Sequence, residues 1–427
     1  MLVHIEHPGP RARYVVQHVL GRILGLEVRY VDDLDGFQSA TGPKLSYGRQ
    51  PVAGAFHVPW SGAIDTLPNG DPPVRRVGDR TGLFHVDEEE DVFAGIFHLL
   101  SLVDEIRCRE LDAHGRTPAE ALFTVRSGIA DRPWVEEKAM ELGDELERRW
   151  PGIPRRKGGY MNVVTVDMDN ILRYTGRPFG RAIGASVKEL VRGEWSALRE
   201  RWGTRSGRRG DPFLRSVELV DAHRGMIDRT ILFFLMRGGT AYDHAAAADH
   251  PATREAIVRA AACAEVGVHP SYITRDDQVR MRAEKDALEH IAGRPVRASR
   301  QHFLRWRLPT TLRWAIDAGM TEEHSLGFTD RVGFRVGTCT PFPWYDLEQE
   351  RGTALMLVPF AVMDSALVER KHLGPEEVVR TMQVMNDRVR RVHGHFVSVW
   401  HDRYLSGHRE FAAWPEVFEQ VMAHAAR

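Results

Sequence analysis

From about residue 160 onward, short apolar runs alternate with longer segments whose apolar positions recur every three or four residues. The runs fall at 163–166, 230–236, 266–268, 296–298, 325–328, 334–337, 354–360 and 396–400. Such brief, nearly unbroken apolarity marks strands buried on both faces. Helical patterns lie between them, near 253–264, 277–292, 309–318 and 376–392; in the last, Val378, Met382, Met385, Val389 and Val392 line one helix face. The alternation predicts parallel strands with helices packed outside. An open doubly wound sheet usually carries a glycine-rich phosphate loop after its first strand. None follows 163–166, so the pattern predicts an α/β fold closed as a (β/α) barrel.

Residues 1–157 have another texture: a short alternating run at 26–31, then helical patterns near 92–110 and 134–150. Thr117-Pro118-Ala119-Glu120 reads as a capping box with proline at the first helical position, which predicts a helix start. The stretch 151–159, rich in glycine, proline and basic residues, breaks the pattern. A smaller α+β N-terminal domain is therefore expected at 1–157, as a packing or partner-docking module, with the barrel at 158–427. The acidic run 87–91 reads as a solvated helix start. The basic stretch 199–209, which contains Trp202, reads as an exposed loop.

Composition narrows the class. The 427 residues are 43% apolar and 27% charged, ordinary for a folded chain of about two domains. Lysine plus arginine number 58 against 59 acidic residues, so no global field attracts a polyanion, and nucleic acid is not expected as a partner. Cys108, Cys263 and Cys339 form no close pair, which fits a reducing compartment. With no apolar stretch near the ~20 residues of a membrane span, and no basic start followed by an apolar run, the expected location is cytoplasmic.

In parallel barrels the chemistry collects where strands end. The first run ends in Asp167-Met168-Asp169-Asn170, the third in His269, the fourth in Arg300-Gln301-His302 and the last in His401-Asp402. Two residues apart on a strand, Asp167 and Asp169 share one face, and a cation or a shared proton relieves their repulsion. His269, between an apolar run and Pro270, is a candidate ligand, since imidazole with carboxylate suits zinc and related ions. His401 lies across the barrel if the last strand closes on the first, placed to protonate a leaving group. Arg300 either orients Asp167 or makes a structural ion pair. Trp306, Trp344 and Tyr345 offer flat surface to a sugar or belong to the core.

These residues resemble the polysaccharide deacetylases of the nodulation-protein type, carbohydrate esterase family 4, over about 160–405. Thr165-Val166-Asp167-Met168-Asp169 is similar to the family's first motif, Gly267-Val268-His269-Pro270-Ser271 to the start of the second, Ser299-Arg300-Gln301-His302-Phe303 to the third and Val399-Trp400-His401-Asp402 to the last. The wording around 299–304, 333–342 and 400–401 looks most like a bacterial branch that carries its own N-terminal domain. The resemblance implies a distorted (β/α) barrel and a divalent-metal hydrolase, with zinc the expected metal, that removes N- or O-acetyl groups from a sugar or glycan intermediate. It makes Asp167 the base, His401 the acid, Arg300 their companion, and Asp169 and His269 metal ligands. Met168 separates two acidic residues that the family sets side by side, and Ile273 stands where a second metal histidine is expected. The third ligand is then expected to be His302, with Asp330 or another residue as the alternative. The alternatives are an inactive barrel that binds a glycan or partner protein, or a hydrolase of other C–N bonds on a small metabolite.

Overall fold

The computed structural model describes residues 1–427 except 79, 156, 157, 178 and the side chain of 181. Strands β1 (Leu2–Ile5), β2 (Arg29–Tyr30), β3 (Lys44–Gly48) and β4 (Phe56–Pro59) form a parallel sheet in the order β2-β1-β3-β4. Two hairpins follow, β5 (Val74–Val77) with β6 (Arg80–Leu83) and β7 (His85–Val86) with β8 (Glu89–Glu90). Asp91 caps the helix Val92–Leu100 by accepting from the Ala94 amide, as the acidic run suggested, although Asp91 itself is buried. The helical pattern expected to continue to 110 stops because Leu102 is left-handed, and resumes as Val103–Arg107.

The helix start expected at 117–120 does not form. Residues 119–121 make one 3-10 turn, the Thr117 carbonyl accepts from Arg335, and Glu120 pairs with Arg331 instead of reaching back to a cap. A tertiary ion pair and a tertiary hydrogen bond have overruled the local signal.

The second sheet has nine strands: β9 (Met161–Met168), β10 (Arg229–Phe234), β11 (Glu265–Val268), β12 (Ala298–Ser299), β13 (Glu322–Glu323), β14 (Phe342–Asp346), β15 (Arg351–Leu357), β16 (Val362–Met363) and β17 (His395–His401). Their order is β14-β15-β13-β12-β11-β10-β9-β17-β16, parallel throughout except for the β14–β15 hairpin. Val163, Val164 and Val166 of β9 are buried between β10 and β17, as continuous apolarity requires. Among the described residues no ladder joins β14 to β16. The segment 358–361, however, runs straight from β15 into β16 and is bonded on both sides: Val358 and Phe360 donate to the carbonyls of Glu323 and Leu326 (2.9 and 3.0 Å), and Ala361 donates to Val397 (3.0 Å).

Four expected helices are present as Pro251–Cys263, Gln278–Ala292, Thr310–Asp317 and Pro375–Arg391. The runs 325–328 and 334–337 are not strands. The chain pairs earlier, at β13, and 334–337 closes a turn in which Gly337 donates to Phe334. The basic stretch expected as a loop is helical through Arg205, in the helix Trp195–Arg205 that follows Phe179–Val191.

Buried apolar side chains form a contiguous cluster from Val3 to Met422, spanning both sheets. Tyr14 donates to the Pro343 carbonyl (2.6 Å) and Arg11 pairs with Glu350 (2.5 Å) across the same junction. Residues 156 and 157, at the boundary expected after 157, lie outside the described residues. No helix among the described residues is long and apolar enough to cross a membrane.

Candidate functional site

Because β9, β11, β12 and β17 run parallel, their ends share one rim. Asp167 and Asp169, His269, His302 and His401 all line one cavity of about 320 Å³ there. The volume falls in the range of small-ligand sites.

Three donors converge at its floor. Asp169 Oδ1 lies 3.5 Å from His269 Nε2 and 3.6 Å from His302 Nε2, and one ligand atom from each of the three residues lies within 4.8 Å of the others. Each imidazole is oriented from behind. His269 Nδ1 faces the Arg300 carbonyl at 2.5 Å, and His302 Nδ1 faces Asp243 Oδ1 at 2.8 Å. A ring N–H donated to an oxygen fixes the tautomer and leaves the other nitrogen as a lone pair. Asp243 is itself buried and held by the Tyr272 amide (2.9 Å) and the Thr240 hydroxyl (2.8 Å).

The donor set fits a metal. Asp169 Oδ1 is buried without a hydrogen-bond partner, and the spacings to both Nε2 atoms are too long for good hydrogen bonds. Two ligand atoms at about 2.1 Å from one tetrahedral ion stand about 3.4 Å apart, close to the two spacings that Asp169 Oδ1 makes. Burial alone would raise the Asp169 carboxyl, but His269, His302 and His401 hold it far below the usual range. Burial likewise would lower His269, but Asp167 and Asp169 raise it, so protons compete with a cation for this cluster.

Asp167 stands beside the cluster, its Oδ2 3.8 Å from His269 Nε2. Arg300 donates Nη1 to Asp167 Oδ1 (2.7 Å), Nη2 to Thr165 Oγ1 (2.9 Å) and Nε to the His324 carbonyl (3.1 Å). With 0% exposure and its guanidinium over the Phe233 ring at 4.5 Å, Arg300 positions Asp167 from below the rim. Gly267 makes room for that ring, since a Cβ there would lie 2.4 Å from it. Burial would raise the Asp167 carboxyl; Arg300, His269 and His401 instead hold it below the ordinary value.

His401 Nδ1 faces Asp364 Oδ1 at 2.6 Å, while the His401 amide donates to Oδ2 (2.7 Å). Burial would lower this imidazole, but Asp364 pushes it up to about 9, so it is protonated at neutral pH. Neighbouring Asp402 accepts from the Asn170 amide (2.7 Å), and burial together with Asp169 pushes its carboxyl up. Arg403 reaches Asp169 Oδ2 at 3.5 Å and Glu369 at 2.7 Å.

Other candidates are not brought in. Asp330 pairs with Arg331 and lines a neighbouring cavity of about 270 Å³, and Ile273 lies in the 3-10 turn Tyr272–Asp276. Trp344 and Tyr345 are core residues on β14, and Trp306 is buried, so none offers a free ring face to this cavity. Tyr242, 41% exposed and stacked on Tyr272 at 4.2 Å, supplies the aromatic wall instead. Arg116, from the N-terminal region, lines both cavities; it is held by Asp112 (2.7 Å) and donates to the Phe303 carbonyl (3.0 Å). Asp243, Asp364 and Tyr242 lie in segments without periodicity, and no sequence signal marked them.

Residues 1–151 match a family of unknown function (DUF7033). No curated protein matches the chain. Among solved structures, a protein from Mycobacterium smegmatis provisionally named a polysaccharide deacetylase shares 14% identity over 64% of this chain and 86% of its own, with a TM-score of 0.38. A CE4 family pseudoenzyme from Bacillus anthracis shares 13% identity over 62% and 63% of the two chains, with a TM-score of 0.29. A mutant of a CE4 family pseudoenzyme with restored enzymatic activity shares 14% over 62% and 65%, also at 0.29. The chain thus spans just under two thirds of the last two. Likeness at this level leaves the function to the side chains themselves.

Proposed function

We propose that the chain is a divalent-metal hydrolase that removes an acyl group, acetyl by its motifs, from the nitrogen or oxygen of a sugar. The observation that carries the reading is Asp169 Oδ1, buried and unpartnered between two imidazole nitrogens whose opposite atoms are already committed. Asp169, His269 and His302 would hold the ion, and two imidazoles with one carboxylate suit zinc. Such a cation supplies Lewis acidity toward the acyl carbonyl and lowers the pKa of water at the site.

The chain's own residues do the rest. Asp167, kept ionised and fixed by Arg300, accepts the proton of the attacking water as the new C–O bond forms. His401, kept protonated by Asp364, gives its proton to the departing amine or alkoxide as the acyl C–N or C–O bond breaks. Tyr242 offers a ring face to the sugar and Arg116 a cation on the cavity wall. In this reading the sheet is a distorted barrel closed through 358–361, and residues 1–157 are a domain that helps wall the cavity.

The test is elemental analysis of protein purified without chelator, followed by acetate release from acetylated amino sugars. About one divalent ion per chain, lost in Asp169→Ala and His269→Ala together with turnover, is expected. A metal-free protein that gains no thermal stability from added zinc, cobalt or manganese would overturn the proposal.

A further inference from the structure

The helix Phe179–Val191 is inside out. Its buried positions include Ala182 and Glu189, whereas Phe179, Ile183, Val187, Leu190 and Val191 stand in solvent, Val191 with 82% exposure. Their spacing puts them on one helix face. A helix bathed by water on one side turns its large apolar face toward the core. The next helix, Trp195–Arg205, repeats the inversion, with Ala197 and Thr204 buried and Trp195 and Trp202 exposed. The two are braced by Trp202 Nε1 donating to Ser186 Oγ (3.1 Å) and by an edge contact of the Phe179 and Trp202 rings at 6.0 Å.

Charge says what covers this face. Between 188 and 209, seven lysines and arginines stand against three glutamates. Glu189 is taken by Arg201 and Glu200 by His408. Lys188, Arg192, Arg199, Arg208 and Arg209 are exposed and, among the described residues, form no ion pair. Large exposed apolar side chains, two tryptophans and several uncommitted cations on the same helix pair are what a helix lying in a lipid headgroup layer requires.

We propose that this helix pair docks on an anionic lipid surface, its apolar row entering the boundary between headgroups and acyl chains while the cations meet lipid phosphates. The chain enters this helix from the cavity: Phe179 follows Asp169 by ten residues, and Arg177 donates to the carbonyl of His244, a residue of the cavity wall. A sugar carried on a membrane lipid is the substrate this placement serves. That corollary rests on the hydrolase reading, whereas the docking does not.

The test is flotation of the full chain with vesicles of phosphatidylcholine, pure or with about 30 mol% phosphatidylglycerol, with tryptophan fluorescence as a second readout. The wild type is expected to float with the anionic vesicles at low salt and to shift its emission to the blue. Val187→Glu with Val191→Glu, both at exposed positions, should lower the bound fraction about tenfold or more. Arg192→Glu, Arg208→Glu and Arg209→Glu should each weaken adsorption to anionic vesicles about fivefold or more. Asp169→Ala should float like the wild type while losing metal and turnover, which separates failure of the docking from failure of the catalytic reading. Wild-type protein that binds neither vesicle overturns the proposal. So does a dimer in the ultracentrifuge that Val187→Glu with Val191→Glu disperses, since the face then belongs to a second copy.

Discussion

Two buried carboxylates of the N-terminal region and three beside the cavity at the end of the nine-stranded sheet have acidities that move in opposite directions. Asp91 accepts from Tyr47, the Ser61 amide and hydroxyl, and the Ala94 amide; burial outweighs these neutral donors and pushes it up to about 6. Glu136, raised in the same way, ties Thr338, Cys339 and Thr340 to the helix Trp134–Arg149. Asp167, Asp169 and Asp243 are pulled below the ordinary value because their partners include guanidinium or imidazole groups. The histidines divide likewise. His18 and His98 have no hydrogen-bond partner and are pushed down by burial, to about 3 and about 4, whereas Asp364 drives His401 up to about 9. Burial of a charged group therefore does not mark a site; a charged partner whose far side opens on a cavity does.

The sharpest break of this contrast is a pair of substitutions. Asp167→Asn should cut hydrolysis by about 10² to 10⁴ while leaving the fold intact, and Glu136→Gln should leave turnover per folded molecule unchanged but lower stability by about 1 to 3 kcal/mol. Acetate release at equal folded concentration, with urea melts of both, checks it; equal loss of turnover in the two would erase the distinction. Next in size is Asp243→Asn, which loosens the His302 ring and should weaken zinc affinity about 10- to 100-fold in a competitive chelator titration.

The His401 titration sharpens the comparison further. In metal-free protein its ring signals should titrate near pH 9, and Asp364→Asn should return them toward about 6.5, as followed by NMR. The sign follows from the raised value: the His401–Asp364 pair contributes its full stability below about pH 6.5 and loses it as pH rises through about 9. A melting temperature of wild type minus Asp364→Asn that stays flat across that window would count against the assignment. The smallest effect is expected for Arg116→Ala and Tyr242→Ala, which should raise KM a few-fold with kcat little changed if they only bind substrate.

Much of the rim was legible beforehand because strand ends announce themselves: a run of valines stops on Asp167 and Asp169, another on His269, another on His401. Their orienting partners were not. Asp364 follows the two-residue β16, and Asp243 lies in a turn closed by Thr240, so each acquires its burial from tertiary folding. The antiparallel β14 was missed because its alternation is masked by Pro343 and a register shift before Tyr345. The helix Phe179–Val191 was missed because its apolar face points the wrong way for a core.

That β14 strand ends the nine-stranded sheet, and an unpaired sheet edge is a template on which other chains polymerise. Here the template is blunted from two directions. Pro343 has no N–H to offer, and its carbonyl is taken by the Tyr14 hydroxyl from the opening helix, Pro10–Val16. The opening helix thus takes up an acceptor that a foreign strand would otherwise use, and a chain lacking that helix would leave the Pro343 carbonyl open at the border of the sheet.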